Sequence, residues 1–477
     1  MSENLYNNSN RTANGWPAFV QNGESSNGEK GDGAHLCEAP FGPLRGKWGP
    51  SPFSIPFSID RKLLRQCTHC GLCTSSCPTF VETGDENDGP RGRIQIMRMV
   101  AEDRCEFTPR MRRHLELCLD CRGCETVCPS EVQYGRLIEP LRVAIEQAET
   151  KIEDRYDWFR EIILFRLIPY ADRMRRLLVP IRFLQNVGLF DLARRMGLLG
   201  IIPGRLGRMV SLVPPSVRQG PKLPKFLPAM GRKRARVAFF TGCVADAVFR
   251  HAHWATLRVL QQNGCDIFVP VEQGCCGAIH FQAGDSRGAR RMADANLVAF
   301  ELDRYDAILV NHAGCGAMLK QYGRHWQDGL QPHREKFAAK VKDVHEFLDA
   351  LGLVPPDGRI DAVATYHDAC HLAHAQGIVA APRRLLAKIP GLQLRELPES
   401  DLCCGSAGAY NLQEAEMADR LGRRKMQNIL STGASIVLAA NAGCLLQIQR
   451  EAVKNNHPLK VMHTMELLDL SYRGEQP

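Results

Sequence analysis

Two stretches of this chain share one cysteine spacing: Cys67-Thr-His-Cys70-Gly-Leu-Cys73-Thr-Ser-Ser-Cys77-Pro78 and Cys118-Leu-Asp-Cys121-Arg-Gly-Cys124-Glu-Thr-Val-Cys128-Pro129. The pattern C-x2-C-x2-C-x3-C-P is typical of bacterial proteins that hold two [4Fe–4S] clusters. Three thiolates on a tight turn bind one cluster, and the fourth binds the neighbouring cluster. The spacing therefore predicts one cluster held by Cys67, Cys70, Cys73 and Cys128, and a second held by Cys118, Cys121, Cys124 and Cys77.

Disulfide bonds and zinc binding are two alternative uses of these cysteines, and both agree less well with the pattern. Disulfides need an oxidising compartment, whereas the first ten residues lack the basic region and apolar core of a signal peptide. A zinc site closes with four ligands from paired C-x2-C units and has no use for a third cysteine followed by proline. We therefore expect reduced thiols in a cytoplasmic setting, with Pro78 and Pro129 ending the ligand loops.

The length, hydropathy and charge of the chain indicate a multidomain protein and argue against a membrane-spanning or nucleic-acid-binding one. Its 477 residues are enough for about three domains. No stretch approaches the ~20 uninterrupted apolar residues that a membrane-spanning helix needs. The formal net charge is +9, but no helix-turn-helix, finger or RNA-binding signature accompanies it, which argues against a nucleic-acid partner.

The first half of the chain divides into three regions by composition. Residues 1–50 are poor in aliphatic side chains and are predicted to be a disordered tail, in which Cys37 is an incidental thiol. Residues 57–147 form a helical, two-[4Fe–4S] ferredoxin-type module with a helix around Ile94 to Val100. Residues 150–235 are a basic helical connector, broken by prolines at 169, 180, 203, 214 and 215. The connector is either a solvated helix surface or a docking face for an acidic partner or an anionic membrane.

The second half predicts an α/β fold with an internal repeat, so that the whole chain combines α+β and α/β parts. Short β-branched runs at 236–240, 266–269, 307–310, 362–366, 435–439 and 459–462 alternate with helices. Cysteine motifs recur within them: 31 residues separate Cys243 from Cys275, and 32 separate Cys370 from Cys403. We therefore expect a duplicated Cys-Cys-Gly domain, with one copy at 236–350 and the other at 361–473.

The cysteines of each repeat stand at strand ends or in the turns that follow. In a parallel sheet these ends share one edge, where ligands bind, so four thiols should converge there in each copy. The alternative is that adjacent cysteines are ordinary buried packing residues. Two matched copies favour a redox or metal site, with the Cys-Cys pairs as candidate redox groups. The candidates are Cys243, Cys275, Cys276 and Cys315 in one copy and Cys370, Cys403, Cys404 and Cys444 in the other.

The remaining histidines and cysteines, and the search for a dinucleotide-binding motif, do not indicate a further cofactor site in this chain. The histidines near these cysteines are expected to be hydrogen-bonded packing residues, and Cys105 and Cys265 are expected to lie in the core. No strand is followed by G-x-G-x-x-G with an acid further on, so an organic redox cofactor such as FAD should lie on another chain. The histidines concerned are His280, His312, His367, His371 and His374.

These motifs together resemble the iron–sulfur subunit of bacterial glycolate oxidase. The resemblance rests on both cysteine runs, on Gly84-Asp-Glu-Asn-Asp-Gly-Pro-Arg-Gly-Arg-Ile94 and on the twin Cys-Cys-Gly repeats, and it covers roughly residues 57–473. It implies a complex with flavin-bearing subunits that oxidises glycolate to glyoxylate. It also implies that this chain passes electrons onward, to a membrane quinone. We expect the chain to lie in the cytoplasm or on the inner face of the cell membrane.

The repeats also resemble those of heterodisulfide reductase subunits, where a further cysteine follows the last one by three residues. Met318 and Gln447 occupy those positions here, and neither is equivalent to a thiolate. Three functions follow from the resemblances: a glycolate dehydrogenase subunit, a related lactate, glycerol-3-phosphate or heterodisulfide complex, or a scaffold that only docks flavin subunits.

Overall fold

The computed structural model describes residues 61–152, 157–202 and 204–477. The expected tail at 1–50, with Cys37, and the first residues of the cluster module lie outside the described residues. Within the described part, no helix has both the length and the apolar character needed to cross a bilayer.

Short helices joined by cysteine-bearing turns make up the cluster module. Pro78 follows Cys77 directly and opens a helix, because the missing N–H of proline is not needed in the first helical turn. The predicted helix around Ile94 is confirmed. The helices are α1 (Arg61–Arg65), α2 (Pro78–Thr83), α3 (Pro90–Ala101), α4 (Pro109–Glu116), α5 (Gly123–Thr126) and α6 (Gly135–Ile152).

The connector is helical, as expected, but one of its prolines does not break it. Pro180 lies inside a 16-residue helix. It is exposed to solvent, so water can satisfy the carbonyl that loses its hydrogen bond, and the helix continues. The connector contains a π-helical segment (Phe159–Leu167), α7 (Ala171–Asn186), α8 (Leu189–Arg195) and α9 (Gly204–Ser211).

Each Cys-Cys-Gly repeat contains its own parallel sheet. The first sheet has the order β1-β3-β2-β4-β5, in which only β1 is antiparallel to its neighbour, and the second has the order β7-β6-β8-β9. The six predicted strands are confirmed to within a residue or two; β1, β5 and β7, of two or three residues each, were not predicted. The strands are β1 (Phe226–Leu227), β2 (Ala235–Phe240), β3 (Cys265–Phe268), β4 (Ala307–Val310), β5 (Val341–Asp343), β6 (Val363–His367), β7 (Gln393–Arg395), β8 (Ile436–Ala439) and β9 (Lys460–His463).

The helices around these strands follow the same order in both repeats, except that three helices separate β4 from β5 in the first repeat and one separates β8 from β9 in the second. They are α10 (Val244–Val248), α11 (Arg250–Gln262), α12 (Ala278–Gln282), α13 (Ser286–Ala299), α14 (Ala313–Lys320), α15 (Tyr322–His325), α16 (Gln331–Lys340), α17 (Val344–Leu351), α18 (Cys370–Ala373), α19 (Ala380–Leu386), α20 (Tyr410–Gln413), α21 (Ala415–Ser431), α22 (Ala442–Lys454) and α23 (Thr464–Arg473).

One hydrophobic core joins the two repeats. It contains Phe239 and Leu309 from the first sheet and Ala364 and Leu438 from the second, all fully buried. Helix α11 packs on α23, and α17 packs on α19, so each repeat contributes the same pair of helices. This reciprocal packing brings the carboxyl ends of the two sheets toward each other.

Candidate functional site

Cys67, Cys70, Cys73 and Cys128 form the first group of thiols, at the surface of the cluster module. Burial, together with the neighbouring thiols of Cys67 and Cys128, raises the pKa of Cys73 to about 11. Cys70 is exposed. Cys128 therefore lies beside the first cysteine run, although it belongs to the second.

The second group of thiols is more deeply placed and contains Cys77, from the first run. It lines a small cavity with Cys118, Cys121 and Cys124. Burial raises the pKa of Cys124 well above its usual value, and the thiols of Cys121, Cys118 and Cys77 add to this effect. The grouping agrees with the exchange expected from the spacing, and the role of these thiols as cluster ligands stays a prediction.

A buried arginine lies against the second thiol group. Arg93 is 1% exposed, and its Nη1 donates to Sγ of Cys77 at 3.8 Å. Its other hydrogen bonds go to the Thr79 hydroxyl (2.9 Å) and the His114 carbonyl (2.7 Å), which are neutral acceptors. A buried cation needs a compensating charge, and the buried Asp88 carboxylate supplies part of it. Four thiols beside such a cation fit an anionic, sulfur-bound group such as an iron–sulfur cluster.

All eight cysteines of the repeats line one apolar cavity of about 260 Å³. In the first repeat Sγ of Cys275 lies 3.3 Å from Sγ of Cys243, and in the second Sγ of Cys370 lies 3.9 Å from Sγ of Cys403. The expected convergence within each repeat is therefore present. The sequence did not indicate that both groups of thiols open into the same cavity.

The glycine after each Cys-Cys pair permits this arrangement. Gly277 and Gly405 have φ angles of +84° and +85°, a region that disfavours other residues. A Cβ atom added to them would lie 3.0 Å from the Ala289 carbonyl oxygen and 2.9 Å from that of Ala418. Close approach of the backbone, as expected from the motif, thus requires glycine.

The connector closes one side of the cavity. Met174 and Leu178 of α7 and Met209 of α9 line it together with the cysteines. Arg175 pairs with Asp246, and Arg182 donates to the Ala247 carbonyl at 3.1 Å. The connector is therefore not solvated throughout, because Met174, Leu178 and two of its arginines pack against the repeats.

The cluster module contacts the second repeat beside the second thiol group. Tyr410 donates to the Leu117 carbonyl at 2.9 Å, and His371 donates to the Asp120 carbonyl at 2.9 Å. Burial raises the pKa of Cys121 well above its usual value, and Cys370 contributes next. Cys121 and Cys370 pack in the same apolar cluster. Thiols of the module and of the repeat are thus adjacent.

Comparison with known proteins identifies the family. The "Glycolate oxidase iron-sulfur subunit, linker region" family matches residues 155–213, "4Fe-4S dicluster domain" matches 63–132, and "Cysteine-rich domain" matches 237–320 and 364–449. The chain is 38% identical to the "Probable glycolate oxidase iron-sulfur subunit" of Bacillus subtilis, over 86% of this chain and 94% of that protein. The chain belongs to the glycolate oxidase iron–sulfur subunit family.

Other relatives share parts of this architecture. The Escherichia coli "Glycolate oxidase iron-sulfur subunit" is 34% identical over 80% of this chain and 89% of that protein. A component of the CoM/CoB fumarate reductase of Methanothermobacter marburgensis is 30% identical over 87% of this chain and 74% of that protein. The resemblance inferred from the motifs is confirmed, and the chain is an iron–sulfur protein with a dicluster domain and two cysteine-rich domains.

The histidines near the repeat cysteines, and the two cysteines outside the motifs, differ in their contacts and burial. His374 is hydrogen-bonded to Thr126 (2.8 Å) and to the Asp401 carbonyl (3.1 Å), as expected of a packing residue, and His280 stacks on Phe165. His312 is buried and lines the cavity, and neither of its ring nitrogens has a hydrogen-bond partner among the described residues, so the expectation of a hydrogen-bonded packing residue is wrong for it. Cys265 is a core residue, as predicted, whereas the core assignment of Cys105 is wrong, because it lies half-buried in the turn after α3.

Proposed function

We propose that this chain is the iron–sulfur electron-transfer subunit of a multisubunit glycolate dehydrogenase that oxidises glycolate to glyoxylate. It takes electrons from flavin subunits carrying FAD and passes them to a quinone acceptor. The observation that carries this proposal is the adjacency of Cys121 and Cys370, because it makes a continuous series of thiol groups from the surface to the internal cavity.

The eight ferredoxin-type cysteines are proposed to hold two [4Fe–4S] clusters with exchanged fourth ligands, and the eight repeat cysteines a further centre. Such clusters, when bound, supply one-electron transfer. The chain itself holds the thiols in place, excludes water by burial around Cys118 and Cys124, and balances negative charge with Arg93. The exposed Cys70 marks the end of the series at which a flavin subunit can dock.

The connector is proposed to attach the subunit to a partner or to the inner face of the cell membrane. Its outer side exposes apolar side chains: Val179 is 63%, Phe183 is 64% and Ile201 is 74% exposed. Arg173 and Arg176 are exposed on the same helix as Phe183. Apolar side chains flanked by cations suit an anionic lipid surface.

A lactate dehydrogenase subunit is the second candidate function. The "Lactate utilization protein A" of Exiguobacterium is 32% identical over 49% of this chain and 96% of that protein. Because the substrate need not touch this chain, only the assembled complex can distinguish the two.

The test is turnover of the complex formed with its flavin subunits. We expect glycolate to reduce a quinone analogue, no activity from this chain alone, and no electron transfer when Cys275 and Cys276 are both replaced by alanine. Preference for lactate would select the second candidate. FAD bound tightly to the isolated chain, or full turnover of the double variant, would contradict the proposal.

A further inference from the structure

One buried histidine lies among the thiols of the second repeat. His367 is the last residue of β6 and is 0% exposed. One ligand atom from each of His367, Cys404 and Cys444 lies within 4.8 Å of the others. Among the described residues, this is the only set of three or more such atoms, all within 4.8 Å of one another, that contains cysteine.

The hydrogen bonds of His367 leave one ring nitrogen available as a ligand. Nδ1 lies 2.9 Å from the carbonyl oxygen of Ser400. A carbonyl oxygen can only accept, so Nδ1 carries the proton and Nε2 presents its lone pair. Nε2 is buried and meets no hydrogen-bonding geometry with another described residue, while the imidazole acts on the neighbouring Cys404 thiol. A backbone carbonyl that fixes the tautomer in this way is typical of metal-binding histidine.

A buried lysine reinforces this arrangement. Lys425 is 2% exposed, and its Nζ also donates to the Ser400 carbonyl, at 3.4 Å. It donates to the Glu399 carbonyl as well. The amine therefore fixes the loop whose carbonyl orients the imidazole, and it places a positive charge near Cys403 and Cys404. This acts as a positioning contact for His367.

The first repeat lacks this imidazole. His367 precedes Cys370 by three residues, and the residue three before Cys243 is Phe240, at the end of β2. Phe240 packs on Phe300 with ring centroids 6.1 Å apart. The two repeats therefore offer different donor sets despite their matched cysteines.

Gln447, at the position expected for a further thiolate, does not supply a ligand either. It is fully buried, its Nε2 donates to the Ala418 carbonyl at 3.0 Å, and its Oε1 accepts from Asn411 at 3.3 Å. Both ends of the amide are thus engaged away from the thiols. His367 is the group that can replace the missing ligand.

We propose that Nε2 of His367 is a ligand, together with Cys404 and Cys444, of an iron ion held by the second repeat. Imidazole and thiolate together suit iron and other borderline divalent metals. Binding takes both sulfurs as thiolates and leaves Nδ1 bonded to Ser400. The inference rests on the proposed metal centre in the repeats and makes the two repeats chemically unequal.

The test uses the full chain, purified without oxygen and containing ¹⁵N-labelled histidine, with Co²⁺ as the metal probe. Cys275→Ser and Cys276→Ser are introduced so that the second repeat is the remaining Cys-Cys-Gly site. At the second repeat we expect one Co²⁺ with thiolate charge-transfer absorption and a ¹⁵N hyperfine coupling, whereas Co²⁺ bound by the ferredoxin-type cysteines should show no such coupling. In His367→Gln the coupling should disappear, and the affinity should fall by more than the about 10- to 100-fold that loss of an outer-shell contact costs.

His253→Gln is the matched control. His253 is also fully buried, and its Nε2 lies 2.9 Å from the Thr241 carbonyl, but it belongs to no group of converging ligand atoms in the described ranges. Its coupling and affinity should match those of the parent protein. If the parent protein binds cobalt through thiolates but shows no nitrogen coupling, His367 is not a ligand, although the cysteines still are.

Two further outcomes separate this inference from the proposed function. No bound metal in the second repeat, with glycolate turnover intact in the complex, would overturn the ligand role and leave electron transfer by the chain in place. If His367→Gln does not fold, a coupling that persists in both His312→Gln and His371→Gln, the two histidines that line the cavity with these thiols, assigns it to His367, and its loss in either variant would overturn the assignment.

Discussion

Replacing Arg93 by methionine tests whether its charge balances the second thiol group. Nη1 of Arg93 lies 3.8 Å from Sγ of Cys77, and the side chain is 1% exposed. Two unit charges at this separation interact by about 4 kcal/mol when the effective dielectric constant is near 20. Although burial lowers the pKa of Arg93, Cys118, Tyr134 and Cys77 hold it above its ordinary value, so the side chain stays charged.

The expected effect is a lower reduction potential at the second site. An added electron is shared across the whole ligand set, so Arg93 stabilises it by roughly half the pairwise energy, about 2 kcal/mol. For a one-electron couple this corresponds to about 90 mV. Methionine is apolar and of similar length, so the Arg93→Met variant removes the charge with little change in packing.

Potentiometric titration of the reconstituted full chain, followed by electron paramagnetic resonance, measures both sites. Arg91→Met is the control, because Arg91 is paired with Glu86 at 2.5 Å and its side chain is 35% exposed, so the first site should shift by less than about 30 mV. Arg93→Lys should recover part of the loss. Equal shifts at both sites, or no shift at the second, would refute the reasoning.

Three further results are expected. Cys77→Ser should remove the cluster of the second run and Cys128→Ser that of the first; spectra in which each change affects its own run would contradict the exchanged arrangement. Phe183→Glu should weaken salt-sensitive binding to anionic vesicles without changing the iron content, and unchanged binding would leave the connector without a membrane role. Burial lowers the pKa of His463 to about 3 and that of His253 to about 4. The unfolded chain therefore binds more protons between pH 6.5 and about 4, so stability falls as pH decreases, by about 1.4 kcal/mol per pH unit for each residue. His463→Asn should flatten this dependence in denaturant titrations at pH 7 and 5.5, and a parent protein with no pH dependence would contradict the assignment.

Local patterns predicted much of the fold, and failed where the elements are short. The runs at 236–240 and 307–310 are β-branched or apolar and became β2 and β4, whereas β5 and β7 carry polar residues in strands of three and gave no signal. Pro180 was wrongly predicted to break the connector, because a proline rule cannot anticipate that solvent satisfies the freed carbonyl.

The sequence by itself determined the chemistry available to this protein, because ligand type and ligand spacing are local properties. The cysteine runs, the glycines after Cys276 and Cys404 and the duplication are all visible in the primary structure. Tertiary structure decided which groups meet. The shared cavity, its closure by the connector and the placement of His367 beside Cys404, 37 positions away, follow from sheet order and from the packing of one repeat on the other. Those contacts join residues far apart in the chain, and no periodicity or spacing within a single segment encodes them.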